Sequence, residues 1–179
     1  MATATASPSS DTLKNAVIRL AGYSQDGIQS VGGFLAQLAG STASEVMTYM
    51  TIPATISGGA SIFQVHLGSG EVLHPGDQAD MLVAFYQDSY DNHLDSLRSG
   101  GICIYDSDQV EEVQDERGIT HIGVPFTSAT IEALGGSAKN RGKNIFVLGL
   151  LCAIYELDRE KMSDIIARKF GKKSEGVLR

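Results

Sequence analysis

The sequence predicts an α/β protein in which helices cover both faces of a mostly parallel, Rossmann-like sheet, built as a single domain. Apolar segments of strand length alternate with segments in which apolar residues recur every three or four positions, as they do in helices. Two of the strand-like segments, residues 81–85 and 102–105, are continuously apolar, which is typical of strands buried on both faces of a parallel sheet. The length of 179 residues fits one domain.

The first unit of this fold is a strand, a turn and a helix between residues 16 and 39. Residues 16–21 form an apolar run too short for a helix, and residues 22–27 form a polar turn bounded by two glycines. From Ile28 onward the apolar residues have helical spacing. This order places the free N–H groups of a helix start at the carboxyl end of a strand, where open α/β sheets tend to bind anions. The same glycines also suit a tight turn that binds nothing, because they permit positive φ and close packing.

The remaining elements follow in order along the chain. Further predicted strands, each bounded by turn residues, are residues 45–50, 60–67, 72–74 and 120–124. Further predicted helices, each apolar on one side or all round, are residues 88–97, 127–134, 145–155 and a last helix that Asp158 caps. We expect Gly100 and Gly101 to terminate the helix over residues 88–97.

The sequence divides into one folded domain and two tails. Residues 1–12 are small and polar and are predicted to be a disordered N-terminal tail. Residues 13–171 are predicted to form the domain, and residues 172–179 a C-terminal tail or the start of a linker.

Composition excludes several classes of protein. The net charge of −7 argues against a nucleic-acid binder, whose contact surface would be basic. No apolar run approaches the ~20 residues of a membrane span, so we expect no membrane association. Cys103 and Cys152 lie in apolar runs and are predicted to be reduced core residues of a cytoplasmic protein.

Few residues of the chain have the pattern of a catalytic or metal site. The four histidines are dispersed, with His74 in a turn as the best placed of them, and no catalytic residue is predicted. Asp106 and Asp108 end a strand and suit either a cation or an ordinary turn. The segment over residues 139–144 puts three positive charges before a helix, which suits either a phosphate or a solvated linker.

Several segments together resemble the 2-oxoacid:ferredoxin oxidoreductase family. Residues 22–29, Gly-Tyr-Ser-Gln-Asp-Gly-Ile-Gln, resemble that family's Gly-x-Ser-Gly-Asp-Gly-Met-Gln turn, and residues 143–149 resemble its Lys-Asn-Met-Phe-Ala-Leu-Gly. Further agreement covers residues 61–66, 74–77, 80–84 and 100–106. More narrowly, residues 17–170 resemble the gamma subunit, or the gamma-type N-terminal domain of the 2-oxoglutarate:ferredoxin oxidoreductase alpha subunit. Gln25 replaces a glycine of the family turn and would be strained if φ were positive there.

The resemblance implies a component, inactive alone, of an enzyme that oxidatively decarboxylates a 2-oxoacid to an acyl-CoA and reduces ferredoxin. The residues of the first turn favour 2-oxoglutarate as the oxoacid substrate. Coenzyme A is expected at the surface of this domain. Thiamine diphosphate, magnesium and 4Fe–4S clusters are expected in the partner alpha and beta subunits or domains, through which ferredoxin is reached. The chain stops at Arg179, so we expect either a separately encoded subunit or a fragment of a longer one.

The resemblance also places the residues that face coenzyme A. They are Gly22, Ser24, Asp26 and Gly27 of the first turn, Ser57, Gly58 and Gly59 of the small-residue loop, and Arg141, Lys143 and Asn144. In this interpretation the N–H groups of Asp26 and Gly27 meet a phosphate or carbonyl oxygen, and Arg141 or Lys143 supplies positive charge.

Two other interpretations of the chain remain open. The chain could alternatively be a stand-alone nucleotide-binding module, or a purely structural interaction subunit. A Rossmann-type nucleotide binder would want an acidic residue at the end of the second strand, which ends instead in Tyr49 and Met50.

Overall fold

The computed structural model describes residues 15–41, 45–53, 58–114, 117–135 and 142–170, and the predicted tails, residues 1–12 and 172–179, lie outside them. The strands of the described chain are β1 (Asn15–Tyr23), β2 (Glu45–Met50), β3 (Ala60–Gly68), β4 (Ala79–Ala84), β5 (Leu97–Asp106) and β6 (Thr120–Val124). Its helices are α1 (Ile28–Gly40), α2 (Gln87–His93), α3 (Phe126–Ala133), α4 (Lys143–Ile154) and α5 (Arg159–Phe170). The predicted α/β fold is confirmed.

The six strands of the described chain form one sheet in the order β2-β3-β1-β4-β5-β6. The pairs β1–β4, β4–β5 and β5–β6 are parallel, whereas β3 runs antiparallel to both of its neighbours. The carboxyl ends of β1, β4, β5 and β6 therefore meet at one edge of the sheet. The ladder between β1 and β4 continues past the strands, because the N–H of Phe85 donates to the carbonyl of Ala21 at 3.0 Å.

Helices pack on both faces of the sheet, as predicted. On one face, Ile18 and Leu20 of β1 pack in a core cluster with Phe34 of α1 and Leu148 of α4. Gly32 lets α1 approach the sheet closely, since a Cβ there would lie 2.0 Å from a ring carbon of Phe63.

The opposite face carries α2 and a second core cluster. There Tyr90 of α2 and the following Leu94 pack against Leu82 of β4 and Cys103 of β5. Among the described residues, no helix combines the length and the apolar character that crossing a bilayer requires.

The prediction of a single helix over residues 88–97 is wrong at its carboxyl end. Helix α2 stops at His93, one 3₁₀ turn follows, and Leu97 already belongs to β5. Gly100 does not terminate a helix but lies inside β5, where the pairing with β4 jumps between Leu97 and Ile102. The residues in between form a bulge, which the positive φ of 73° at Gly100 accommodates.

The predicted short strand over residues 72–74 is also absent from the described chain. Side chains of β3, and not a backbone ladder, make the hydrogen bonds to the end of this segment and the turn after it. Gln64 donates to the carbonyls of Pro75 and Gly76 at 2.6 and 2.7 Å, and the ring of His66 bonds the carbonyl of His74 at 2.6 Å. Pro75 has no N–H to offer a neighbouring strand, which explains why the chain does not pair back.

Candidate functional site

The polar turn after β1 contacts two other segments that the sequence analysis singled out. The N–H of Ser24 donates to the carbonyl of Gly59 at 3.0 Å, which fixes the small-residue loop beside the turn. On the other side, a Cβ added to Gly27 would lie 2.5 Å from Nδ2 of Asn144, at the start of α4. Three predicted segments from separate parts of the sequence thus meet at the carboxyl edge of the sheet.

Two of the predicted residues, Ser57 and Arg141, lie outside the described residues. Their neighbour Gly58 has a φ of 85°, and a Cβ there would lie 2.8 Å from Oε1 of Gln25 and 3.2 Å from Oγ of Ser24. Gly58 therefore allows the small-residue loop to approach the turn closely.

The turn itself divides into three conformations. Gly22 is still part of β1, where a Cβ would lie 2.8 Å from Ile28. Residues 24–26 form one 3₁₀ turn, and Gly27 alone within the turn takes a left-handed conformation, with φ of 75°. Gln25, which would be strained at positive φ, has no such φ. The substitution of this family glycine is thus compatible with the turn.

Two helices begin side by side at this place. Gly27 precedes α1 and Gly142 precedes α4, with φ of 75° and 103°, and neither helix start is capped by a side chain of its N-cap residue. The first N–H groups of each helix, such as those of Ile28 and Gln29, have no intrahelical acceptor. Because the positive ends of both helix dipoles lie together, the place favours an anion.

The carboxylate of Asp26 is held inside the turn. It accepts the N–H of Tyr23 at 3.2 Å and the hydroxyl of Tyr86 at 2.9 Å. Burial, and then the charge of Asp26, raise the pKa of Tyr86, so this hydroxyl stays protonated and continues to donate. Tyr23 in turn donates to Asp88 at 2.7 Å and stacks at a tilt on Tyr86, with 4.7 Å between ring centroids. These contacts give Asp26 a role in shaping the turn.

Lys143 is the first residue of α4 and is almost fully buried, at 3% exposure. Its Nζ lies 3.3 Å from Oδ2 of Asp106, which is itself fully buried, and 4.4 Å from the centroid of the Tyr86 ring. Asp106 also accepts the hydroxyl of Thr127 at 2.7 Å. A buried and paired ammonium presents no free charge, so this geometry favours an anchor for α4 over the predicted direct contact of Lys143 with a phosphate.

Neither Tyr86 nor the pairing of Asp106 with Lys143 was predicted from the sequence. Both Tyr86 and Asp106 lie at the carboxyl ends of buried strands, β4 and β5, and that position was the available signal. The alternative that Asp106 and Asp108 bind a cation finds no support in the geometry. Asp108 accepts the N–H of Ser128 at 2.7 Å, in the first turn of α3. In the part of the chain that the structure describes, no three His, Cys, Asp or Glu side chains are grouped to hold a metal ion.

Known proteins are similar to this chain in sequence and in fold. The chain is 31% identical to the 2-oxoglutarate oxidoreductase subunit KorA of Mycobacterium tuberculosis, over 95% of this chain and 30% of that protein. It is 27% identical to the 2-oxoglutarate synthase subunit KorC of Archaeoglobus fulgidus, over 89% of this chain and 81% of that one. The chain thus spans under a third of the KorA relative and most of the KorC relative.

Solved structures give the same picture. The 2-oxoglutarate:ferredoxin oxidoreductase of Magnetococcus marinus, solved with 2-oxoglutarate, coenzyme A and succinyl-CoA bound, superposes with a TM-score of 0.81 at 32% identity. That match covers 92% of this chain and 28% of the other. A keto/oxoacid ferredoxin oxidoreductase gamma subunit from Geobacter sulfurreducens shares the fold, with a TM-score of 0.71 at 20% identity over 91% and 94% of the two chains.

A family profile described as pyruvate ferredoxin/flavodoxin oxidoreductase matches residues 17–179. This match covers nearly the whole chain and the described sheet with its helices. The resemblance found in the sequence is therefore confirmed, and the chain belongs to the pyruvate ferredoxin/flavodoxin oxidoreductase family.

Proposed function

We propose that this chain is the gamma-type part of a 2-oxoglutarate:ferredoxin oxidoreductase and that it helps to bind coenzyme A there. The observation that carries the proposal is the meeting of two helix starts, α1 and α4, each behind a left-handed glycine. Coenzyme A carries phosphate groups, and the unpaired N–H groups of such helix starts bind phosphate well. A 32% identical relative with coenzyme A bound supports this choice of anion.

The residues of this chain divide the work between contact and support. The backbone N–H of Gln29 and the side-chain amide of Asn144, both partly exposed, face the ligand. Asp26 fixes the turn through Tyr86, and Lys143 fixes α4 through Asp106. None of the residues that the structure describes is proposed to react with the 2-oxoacid.

The rest of the reaction belongs to partner polypeptides. Alpha and beta subunits or domains hold the thiamine diphosphate, magnesium and 4Fe–4S clusters, and pass electrons to ferredoxin. The length of the KorA relative, of which this chain spans 30%, supports such further polypeptide.

The oxoacid is proposed from the relatives, and its pocket is proposed to lie in the partner subunits. KorA and KorC relatives support 2-oxoglutarate. A ketoisovalerate oxidoreductase subunit VorA of Methanothermobacter marburgensis is 32% identical over 87% of this chain, so a branched 2-oxoacid is the second candidate substrate.

The test is purification of the chain with its partner subunits, followed by assay of coenzyme A-dependent oxoacid oxidation with ferredoxin as acceptor. The enzyme is assayed in parallel with 2-oxoglutarate and with 3-methyl-2-oxobutanoate. We expect turnover of 2-oxoglutarate by the complex and none by the chain alone. Turnover by the isolated chain, or partners unrelated to oxoacid oxidation, would contradict the proposal.

The variant Asn144→Asp tests the coenzyme A contact itself. A carboxylate beside the bound phosphates should cost about 1–2 kcal/mol and so raise the Michaelis constant for coenzyme A by roughly 5- to 30-fold. The fold should survive, because an anion in the first turn of a helix is favourable. Asn92→Asp, an equal change on the exposed surface of α2, is the control and should leave the Michaelis constant unchanged. An unchanged constant in both variants would remove Asn144 from the site.

A further inference from the structure

Arg19 is a basic side chain in the middle of β1, on the sheet face opposite α1 and α4. In the described part of the chain every lysine and arginine is exposed except Arg19 and Lys143. Lys143 is paired with Asp106. Arg19 donates from Nε to the amide oxygen of Gln64 at 2.7 Å, and no described carboxylate forms an ion pair with it.

The register of the sheet places Arg19 in a row of three side chains. Gln64 of β3 lies opposite Arg19, and Tyr49 of β2 lies opposite Gln64. Gln64 is 2% exposed, because its amide lies under the carbonyls of Pro75 and Gly76, to which it donates. Tyr49 is 48% exposed, and β2 is an edge strand of the described sheet. The row therefore begins at a half-buried guanidinium and ends at an exposed aromatic ring on an open edge.

His93 at the end of α2 bounds the row on its other side. Burial, and then the positive charge of Arg19, lower the pKa of His93. Burial likewise lowers the pKa of Arg19, against a smaller raising effect of the Tyr49 hydroxyl. The titratable and charged groups that act on this place are Arg19, Tyr49, His93 and Asp88.

This combination has the chemistry of a protein interface. A guanidinium with free Nη donors binds a carboxylate through two parallel hydrogen bonds. Arginine and tyrosine are the residue types that most often carry the binding energy of an interface. A neutral partner surface would leave the charge of Arg19 uncompensated once water is removed, so the complementary group is an anion.

We propose that Arg19 and Tyr49, on either side of the buried Gln64, form a docking surface for a carboxylate-bearing segment of another polypeptide of the oxidoreductase. The inference rests on the proposed function, which supplies the partner subunits. It names a contact surface on the sheet face away from α1 and α4, formed by β1, β3 and β2, whereas the coenzyme A site is built by residues at the starts of those two helices.

Cross-linking with a carbodiimide tests the surface directly. The variant Arg19→Lys keeps the positive charge and introduces an amine, which the reagent joins to a carboxylate in contact. In the assembled complex, mass spectrometry should find position 19 joined to an Asp or Glu of an alpha or beta polypeptide. Arg168→Lys, on exposed α5 at the opposite face, is the control and should give no such product. A link to a carboxylate of the same molecule, or of a second copy of this chain, would overturn the proposal.

Affinity gives a second readout. Arg19→Met should weaken association with the partner polypeptides by about 30-fold or more, because it leaves their carboxylate buried without a partner. Arg168→Met should leave the affinity unchanged. A thermal melt of Arg19→Met close to that of the wild type separates lost docking from lost folding, and Arg19→Lys serves if that variant does not fold.

The two proposals fail in different ways. If the wild-type chain does not associate with oxoacid oxidoreductase subunits, the proposed function fails and takes this surface with it. If the wild-type chain associates and Arg19→Met associates equally well, the docking surface alone is wrong.

Discussion

The substitution Lys143→Met removes the cation of the buried pair while filling much the same volume. In the folded chain Lys143 is 3% exposed and Asp106 is 0% exposed, so water cannot replace the lost ammonium. Asp106 keeps three neutral donors, the hydroxyl of Thr127 at 2.7 Å, the N–H of Asp108 at 3.2 Å and the N–H of Thr127 at 3.4 Å.

The size of the effect follows from this geometry. Breaking a buried ion pair by removing one partner costs about 3–5 kcal/mol. Because Asp106 keeps three neutral donors, we expect a loss near the lower limit, about 3 kcal/mol, which includes the contact of Nζ with the Tyr86 ring. For a protein of this size that loss lowers the unfolding midpoint by roughly 10 °C.

Thermal unfolding followed by circular dichroism measures this change. Lys161→Met removes an exposed ammonium that lies 3.8 Å from Asp158, and as the control it should cost less than about 1 kcal/mol. The double variant Lys143→Met with Asp106→Asn should lose less than the sum of its two single variants, since both charges leave together. A midpoint of Lys143→Met within the error of the wild type would refute the anchoring role of this pair.

Three further predictions concern the described core and turn. Tyr86→Phe removes the 2.9 Å bond to Asp26 and should lower the free energy of unfolding by about 1–2 kcal/mol in urea titration; equal stability would show that the bond contributes nothing. Gly32→Ala places a methyl group 2.0 Å from the Phe63 ring and should destabilise the protein by about 1–3 kcal/mol. The control Gly33→Ala, whose methyl group would have nothing within 4 Å, should be neutral or stabilising. The reverse order of stability would contradict the packing of α1 on β3. Burial raises the pKa of Cys103 to about 12, so its thiol stays protonated at pH 8 and should react with Ellman's reagent only on unfolding; rapid labelling of the native protein at that pH would contradict its burial.

The local part of the architecture could be predicted from sequence. A short apolar run, paired glycines and helical spacing predict the strand, turn and helix at residues 16–39. The structure contains all three, with β1 extended to Tyr23. Asp158 was predicted to cap the last helix, and its carboxylate accepts the N–H groups of Glu160 and Lys161 at 3.0 Å. Both patterns lie within short stretches of the chain, where residue spacing alone determines the local structure.

What sequence could not predict depends on contacts between distant residues. Asp26 and Tyr86 are 60 positions apart, and Lys143 and Asp106 are 37 apart, so no spacing relates them. The spacing of Leu94 and Leu97 is compatible with a helix and also with a turn followed by a strand. In the structure Leu94 lies in a 3₁₀ turn and Leu97 begins β5. The charges before α4 were visible, but burial decided that Lys143 serves an internal pair.

The central claim is that the starts of α1 and α4 form a wall of the coenzyme A site. An experimental structure of the assembled oxidoreductase with coenzyme A tests it most directly. We expect a phosphate oxygen of coenzyme A at about 3 Å from the N–H of Gln29 or from the amide of Asn144. Coenzyme A bound elsewhere, with this turn sealed against a partner's side chains, would contradict it.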